Sequence, residues 1–219
     1  YKFRVTDLAG NVTERSVTVD KIDKVAPELS ISGNATSWTN QDVVLTATAS
    51  DGVIEVFTNG TWVEGNTLTV SENGTYKFRV TDLAGNITEK SVIVDQIDKD
   101  APTLEISGNA ADWTNKDITL TATVSDGTVE FFNGTEWVAG AIQTVTTNGT
   151  YMFRVTDLAG NVTEQSVTVD KIDKDAPVLT VTGDLLTPST GVTLTASAMD
   201  SGSRLSKIEY SFNAEDWIT

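Results

Sequence analysis

Apolar and polar residues alternate with a period of two along most of this chain. In TYKFRVTD (75–82), Tyr76, Phe78 and Val80 fall on one face and Lys77, Arg79 and Thr81 on the other, the pattern of a strand with one buried side. Between 25 and 98 the same reading places strands at Leu29 to Ile31, Val43 to Ser50, Val53 to Thr58, Trp62-Val63, Leu68 to Ser71, Tyr76 to Asp82 and Ser91 to Asp95. Breaks fall at Asp51-Gly52, Asn59-Gly60, Asn73-Gly74 and Ala84-Gly85-Asn86. Asn-Gly pairs favour two-residue hairpins, because both central positions of that turn need positive φ. No segment carries a helical period. Short antiparallel strands at this density predict a compact all-β sandwich.

The pattern recurs. YKFRVTDLAGNVTERSVTVD at Tyr1 returns as YKFRVTDLAGNITEKSVIVD at Tyr76 and as YMFRVTDLAGNVTEQSVTVD at Tyr151, steps of 76 − 1 = 75 and 151 − 76 = 75. Trp38 and Trp113, and Trp62 and Trp137, keep the same step. A period of 75 is too long for one turn of a solenoid and long enough for a small domain with its own core. Each copy ends in a polar run closing on Ala-Pro: DKIDKVAP (20–27), DQIDKDAP (95–102) and DKIDKDAP (170–177). Proline restricts its own φ and the residue before it, so these runs read as short, stiff linkers into a new edge strand.

The expected organisation is therefore two complete repeats, 25–98 and 99–173. They are flanked by the final strands of a preceding repeat, 1–24, and the front of a variant repeat, 174–219. In the variant the first Trp is lost near Pro188, and SGSRLSKIEYSFNAEDWIT replaces the shorter DGVIEVFTNGTWVE. The expectation is an excerpt of a longer protein, or ends completed by neighbouring molecules.

Composition narrows the chemistry. The formal charge of −16 repels nucleic acid and anionic lipid. No run reaches the roughly 18 apolar residues of a membrane span, so direct membrane insertion is not expected. The absence of Cys and His removes thiol nucleophiles, disulfides, thiolate or imidazole zinc sites and the usual neutral-pH general base. Acid–base catalysis by paired carboxylates needs one special site, whereas these acids recur in every copy. No enzyme is expected.

The run NGTYKFRVTDLAGNITEKSVIVDQIDKDAPTL resembles the bacterial immunoglobulin-like repeats of large cell-surface proteins and adhesins. The matching elements are the Gly-Thr-Tyr strand opening, the TDLAGN hairpin and the VD…AP junction; IEYSFNAEDWIT resembles the Trp-ended hairpin of related repeats. The resemblance implies tandem immunoglobulin-like β-sandwich domains in an elongated array, located outside a bacterial cell at its surface. It also implies a stalk or spacer of an adhesin fibre, stiffened in some members by calcium at the domain junctions. Its partners would be neighbouring repeats and, in an alternative reading, a surface glycan or protein ligand. A further alternative is a filament subunit that assembles head to tail by strand complementation.

The candidate site residues are the linker acids Asp95, Asp98 and Asp100, with Asp170, Asp173 and Asp175. Ca²⁺ takes six to eight oxygen ligands, and a junction can gather carboxylates and carbonyls from two modules. No cofactor is required by this reading, and calcium is the one considered. The competing reading is a solvated linker, because Lys21, Lys24, Lys99, Lys171 and Lys174 interleave with the acids and Val25 stands where the other copies have Asp100 and Asp175. In TDLAGN the Asp is expected to cap a turn while Gly85 supplies an unusual φ. Trp62, Trp137 and Trp217 are read as packing residues or sugar platforms, and Asn73, Asn86, Asn148 and Asn161 head Asn-X-Ser/Thr triplets.

Overall fold

The structure, a computed structural model, describes residues 1–183, 190–212 and 216–219. Among these residues the regular elements are strands alone. The protein is all-β. The chain divides into two units, Tyr1–Asp100 and Ala101–Thr219. Pro188 lies outside the described residues, as do 213–215 of the Trp-ended hairpin.

The first unit holds β1 (Lys2–Thr6), β2 (Val12–Ser16), β3 (Leu29–Ser32), β4 (Val43–Ala49), β5 (Val53–Thr58), β6 (Thr61–Glu64), β7 (Thr67–Val70), β8 (Gly74–Thr81) and β9 (Ile87–Val94). The first two form a separate hairpin, β3-β4-β7 a three-stranded sheet, and β6-β5-β8-β9 a four-stranded one. The second unit holds β10 (Leu104–Ser107), β11 (Ile118–Val124), β12 (Thr128–Phe132), β13 (Trp137–Ala139), β14 (Ile142–Val145), β15 (Gly149–Thr156), β16 (Val162–Val169), β17 (Val178–Thr182) and β18 (Thr195–Met199). There the order is β10-β11-β14, β13-β12-β15-β16 and a β17-β18 pair. Both complete strand sets thus share one order, and every named pairing is antiparallel.

In the two complete sandwiches the alternation along the strands decides what is buried, whereas β1, β2 and β17 are exposed at every position. In the first unit Leu29, Val43, Leu45, Ala47 and Val70 from the three-stranded sheet meet Val56, Phe78, Val80 and Val94 from the four-stranded one. Two sheets close over one core. Leu45, Phe78 and Val80 are fully enclosed, each contributing about 1.5–3 kcal/mol by removal from water. In the second unit Leu120 and Phe153 occupy the equivalent places and are as fully enclosed.

Turn chemistry follows the sequence at some breaks and departs from it at others. Asn59 and Gly60 have φ of 51° and 79°, as a two-residue hairpin between β5 and β6 requires. Asn73-Gly74 is different: Gly74 opens β8 opposite Val94, and the Asn73 side chain reaches the segment beyond β9. The final strand starts at Ile87, earlier than Ser91, because the TDLAGN turn is tight enough for Thr81 to pair directly with Ile87. Gly33, at φ 90°, turns the chain after β3 where an added Cβ would sit 2.1 Å from the Val44 carbonyl oxygen; no side chain fits there.

Candidate functional site

The segment after β9 is polar in sequence, yet its centre is built into the fold. Ile97 is buried in the core. The Asn73 side chain satisfies both of its backbone groups, donating Nδ2–H to the Ile97 carbonyl at 2.8 Å and accepting the Ile97 amide on Oδ1 at 2.8 Å. On the other flank Thr39 donates its amide to Gln96 O, and Asp98 donates its own to Thr39 O, both at 2.9 Å. Asn148 and Ile172 repeat the clamp at 2.8 Å in each direction, with Thr114 between Lys171 and Asp173. A free linker would leave these amides to water. Here the last residues before Ala-Pro are an extra edge of the sandwich.

This fixes where the six candidate acids lie. Asp95 and Asp170 are exposed beyond the ends of β9 and β16, while Asp98 and Asp173 are half-buried. Asp98 Oδ1 accepts the Asp100 amide at 3.0 Å, and Asp173 Oδ1 accepts the Asp175 amide at 3.1 Å. Asp23 holds the Val25 amide the same way, at 2.9 Å. The turn uses the backbone N–H of the third residue, so Val25 can replace Asp there without loss. Between the acids, Lys99 pairs with Asp42 and Lys174 with Asp117. Asp173 Oδ2 also accepts the Ser203 amide at 2.6 Å, and the Ser203 hydroxyl and amide together hold the Asp173 carboxyl below its ordinary value against the opposing effect of burial. Among the described residues, no group of three or more Asp, Glu, His or Cys side chains is gathered so as to hold a metal ion.

The TDLAGN acids are occupied by the turn itself. Asp82 is buried. Its Oδ1 accepts the Asn86 amide and its Oδ2 the Asn86 side-chain amide, each at 2.8 Å. Asp7 with Asn11 and Asp157 with Asn161 make the same pair of bonds. The Asn86 side chain is the main cause that lowers the Asp82 carboxyl below its usual 3.8, with burial opposing it. At Asp157 burial is the largest influence and raises the value, but the bonds from Asn161, Gly160 and Ala159 outweigh it. Gly85 adopts φ 88°. The Asn-X-Ser/Thr residues Asn73, Asn86, Asn148 and Asn161 all commit their side-chain amides to these partners.

The tryptophans divide into two kinds. Trp62 stands edge-on to Phe57, 5.1 Å between centroids, with the Arg79 guanidinium 4.6 Å over its ring. Arg79 also forms a two-pronged pair with Glu55, at 2.6 and 3.1 Å, which draws the Glu55 carboxyl below its ordinary value. Trp137, Phe132, Arg154 and Glu130 repeat the ladder, with Arg154 4.4 Å over the indole. These rings cover the outer face of the four-stranded sheet, at about 0.5–1 kcal/mol per cation–π contact. Trp38, Trp113 and Trp217 are about half exposed or more.

No family model and no curated protein sequence matches the chain. Among solved structures it is similar to a β-glycosidase from Bacteroides vulgatus at 11% identity and a TM-score of 0.25. The match covers 68% of this chain and 25% of that one, so the chain spans about a quarter of that enzyme's length. So slight a likeness carries no argument.

The Asn73 and Asn148 clamps were not legible as function-bearing residues, because Asn-Gly reads first as a hairpin. Two signals could have found them: the recurrence of Asn-Gly-Thr at 73–75 and 148–150, and a lone Ile at 22, 97 and 172 inside a charged run.

Proposed function

We propose that this chain is a non-enzymatic spacer, a series of immunoglobulin-like β-sandwich repeats in a stalk on a bacterial surface. The observation that carries this reading is the repetition of the same core and the same strand order at a step of 75 residues, as in Leu45 and Leu120 or Phe78 and Phe153. A protein that needs length copies a self-sufficient module. One that needs a reaction centre makes one site different from the rest. The acids recur in phase, and the carboxylates of Asp82, Asp157, Asp98 and Asp173 hold turns. The resemblance of the TDLAGN and VD…AP segments to surface repeats supports the extracellular location.

Small-angle scattering of the whole chain tests the reading. A compact globule of this length would have a radius of gyration of about 17 Å. A spacer gives a clearly larger value with a long, anisotropic distance distribution; a value near the compact one would sink the proposal.

A further inference from the structure

Asn-Gly occurs four times in the chain, at 59–60, 73–74, 133–134 and 148–149, and each time the next residue is Thr. Asparagine before glycine is open to an intramolecular reaction, because glycine has no Cβ to screen its own amide from a close approach. The Gly nitrogen gives up its proton to water and bonds to the Asn side-chain carbon Cγ. The Cγ–Nδ2 bond then breaks, and Nδ2 takes up a proton and leaves as ammonia. Water adds to either carbonyl of the five-membered imide, leaving an aspartate or an isoaspartate and one new negative charge. Four identical Asn-Gly-Thr tripeptides share one local chemistry, so a difference between them in the folded protein comes from the fold.

Two of the four are covered. The Asn73 side chain is held on both of its polar atoms by Ile97, so the reaction has to break two bonds before Cγ is free to move. Tyr76 lies over the same peptide. Its hydroxyl donates to Glu72 O at 2.7 Å, and its ring is 3.5 Å from where a Cβ on Gly74 would sit. Asn148 and Ile172 repeat the clamp, and Tyr151 repeats the strap, with its hydroxyl on Thr147 O at 2.7 Å and its ring 3.8 Å from the Gly149 position. Asn133 is held differently: its Oδ1 accepts the Thr135 amide at 3.0 Å, the Thr135 hydroxyl at 2.9 Å and the Glu136 amide at 3.0 Å.

Asn59 has none of these restraints. It is exposed at the tip of the β5–β6 hairpin, with Thr58 paired to Thr61 beneath it. Its side chain makes no hydrogen bond among the described residues, and a Cβ built on Gly60 would meet nothing within 4 Å. The reaction needs the turn to open. β6 is a four-residue edge strand paired with β5 alone, the kind of element that opens locally without global unfolding.

We propose that Asn59-Gly60 is the site at which this protein deamidates, and that the clamps and Tyr straps protect Asn73 and Asn148, whose products the fold cannot hold. At position 59 an aspartate is tolerated, since Asp, like Asn, accepts the left-handed φ of 51° found there. At position 73 an aspartate sets a carboxylate oxygen against the Ile97 carbonyl in place of an N–H donor. The inference does not depend on the spacer reading.

The test incubates the whole chain folded at mildly alkaline pH and, in parallel, unfolded in guanidinium chloride, with peptide mapping by mass spectrometry over time. Each folded rate is divided by the unfolded rate at the same site. The expected ratio is highest at Asn59, with Asn133 behind it and Asn73 and Asn148 lower by about tenfold or more, the order that follows when two hydrogen bonds must first be broken. A ratio at Asn59 no higher than at Asn73, Asn148 or Asn133 would overturn the proposal. Thermal melts of Asn59→Asp and Asn73→Asp check the second half: the first should melt close to the parent and the second clearly lower. Equal losses in the two would overturn the claim that the fold shields the site whose product it cannot hold.

Discussion

Asp82 shows how one side chain holds a turn in this protein. Both carboxylate oxygens accept from Asn86, and the bonds favour the ionised form, holding its folded value below the ordinary 3.8. The sign follows from linkage: a depressed folded value means stability that is complete above the ordinary value and is lost as pH falls through the lower, folded one. Replacing Asp82 and Asp157 with Asn turns one acceptor into a donor facing the Asn86 and Asn161 amides. The paired Asp82→Asn, Asp157→Asn variant should melt lower than the parent at about pH 7, and the difference should shrink as pH falls below the ordinary carboxylate range. Thermal melts across that range check it; a constant difference at every pH would sink the assignment. The backbone part of this cap was legible in the sequence because an Asp at the start of a Gly-containing turn bonds nearby N–H groups; the Asn86 side-chain partner came only with the structure.

At the scale of elements, the strands themselves were readable. The predicted strands at Val43, Val53, Trp62, Leu68 and Tyr76 correspond to β4 to β8, since alternation and turn residues act locally. The segment after β9 was not readable, because its environment comes from residues far off in the chain. Ile97 is held by Asn73, 24 residues away, and flanked by Thr39. Asn73→Ala together with Asn148→Ala leaves the N–H and C=O of Ile97 and Ile172 without those partners, at about 1–3 kcal/mol for each group left buried and unpaired. Urea unfolding should show a loss of this order in each unit, and hydrogen exchange should speed up at the Ile97 and Ile172 amides. Unchanged protection at those two amides would remove the clamp from the account.

At the scale of the molecule, the two cores have no residue in common: one runs from Leu29 to Ile97, the other from Ile118 to Ile172. Sites that share no partner act independently. Leu45→Ala, at a fully enclosed position, should therefore destabilise its own unit by about 2–5 kcal/mol and leave the other unchanged. Calorimetry of the whole chain should show one transition moving down and a second staying in place. A single transition that shifts as a whole would mean that the two units unfold as one.

The sequence by itself determined the strand content, the phase of burial along the TYKFRVTD strand, the repeat of 75 residues and an Asp that caps the TDLAGN turn through backbone N–H groups. All of these rest on interactions between residues a few positions apart, or on direct comparison of one copy with the next. Only the tertiary structure decided that Ile97 and Ile172 enter the core, that Asn73 and Asn148 clamp them, and that the two ends of each repeat run parallel. Those contacts join residues 24 to 61 positions apart, and their donors are ordinary Thr, Asn and Lys side chains on a polar surface. Nothing local distinguishes such a residue from its solvated neighbours until two sheets close on one core and bring the first and last segments together.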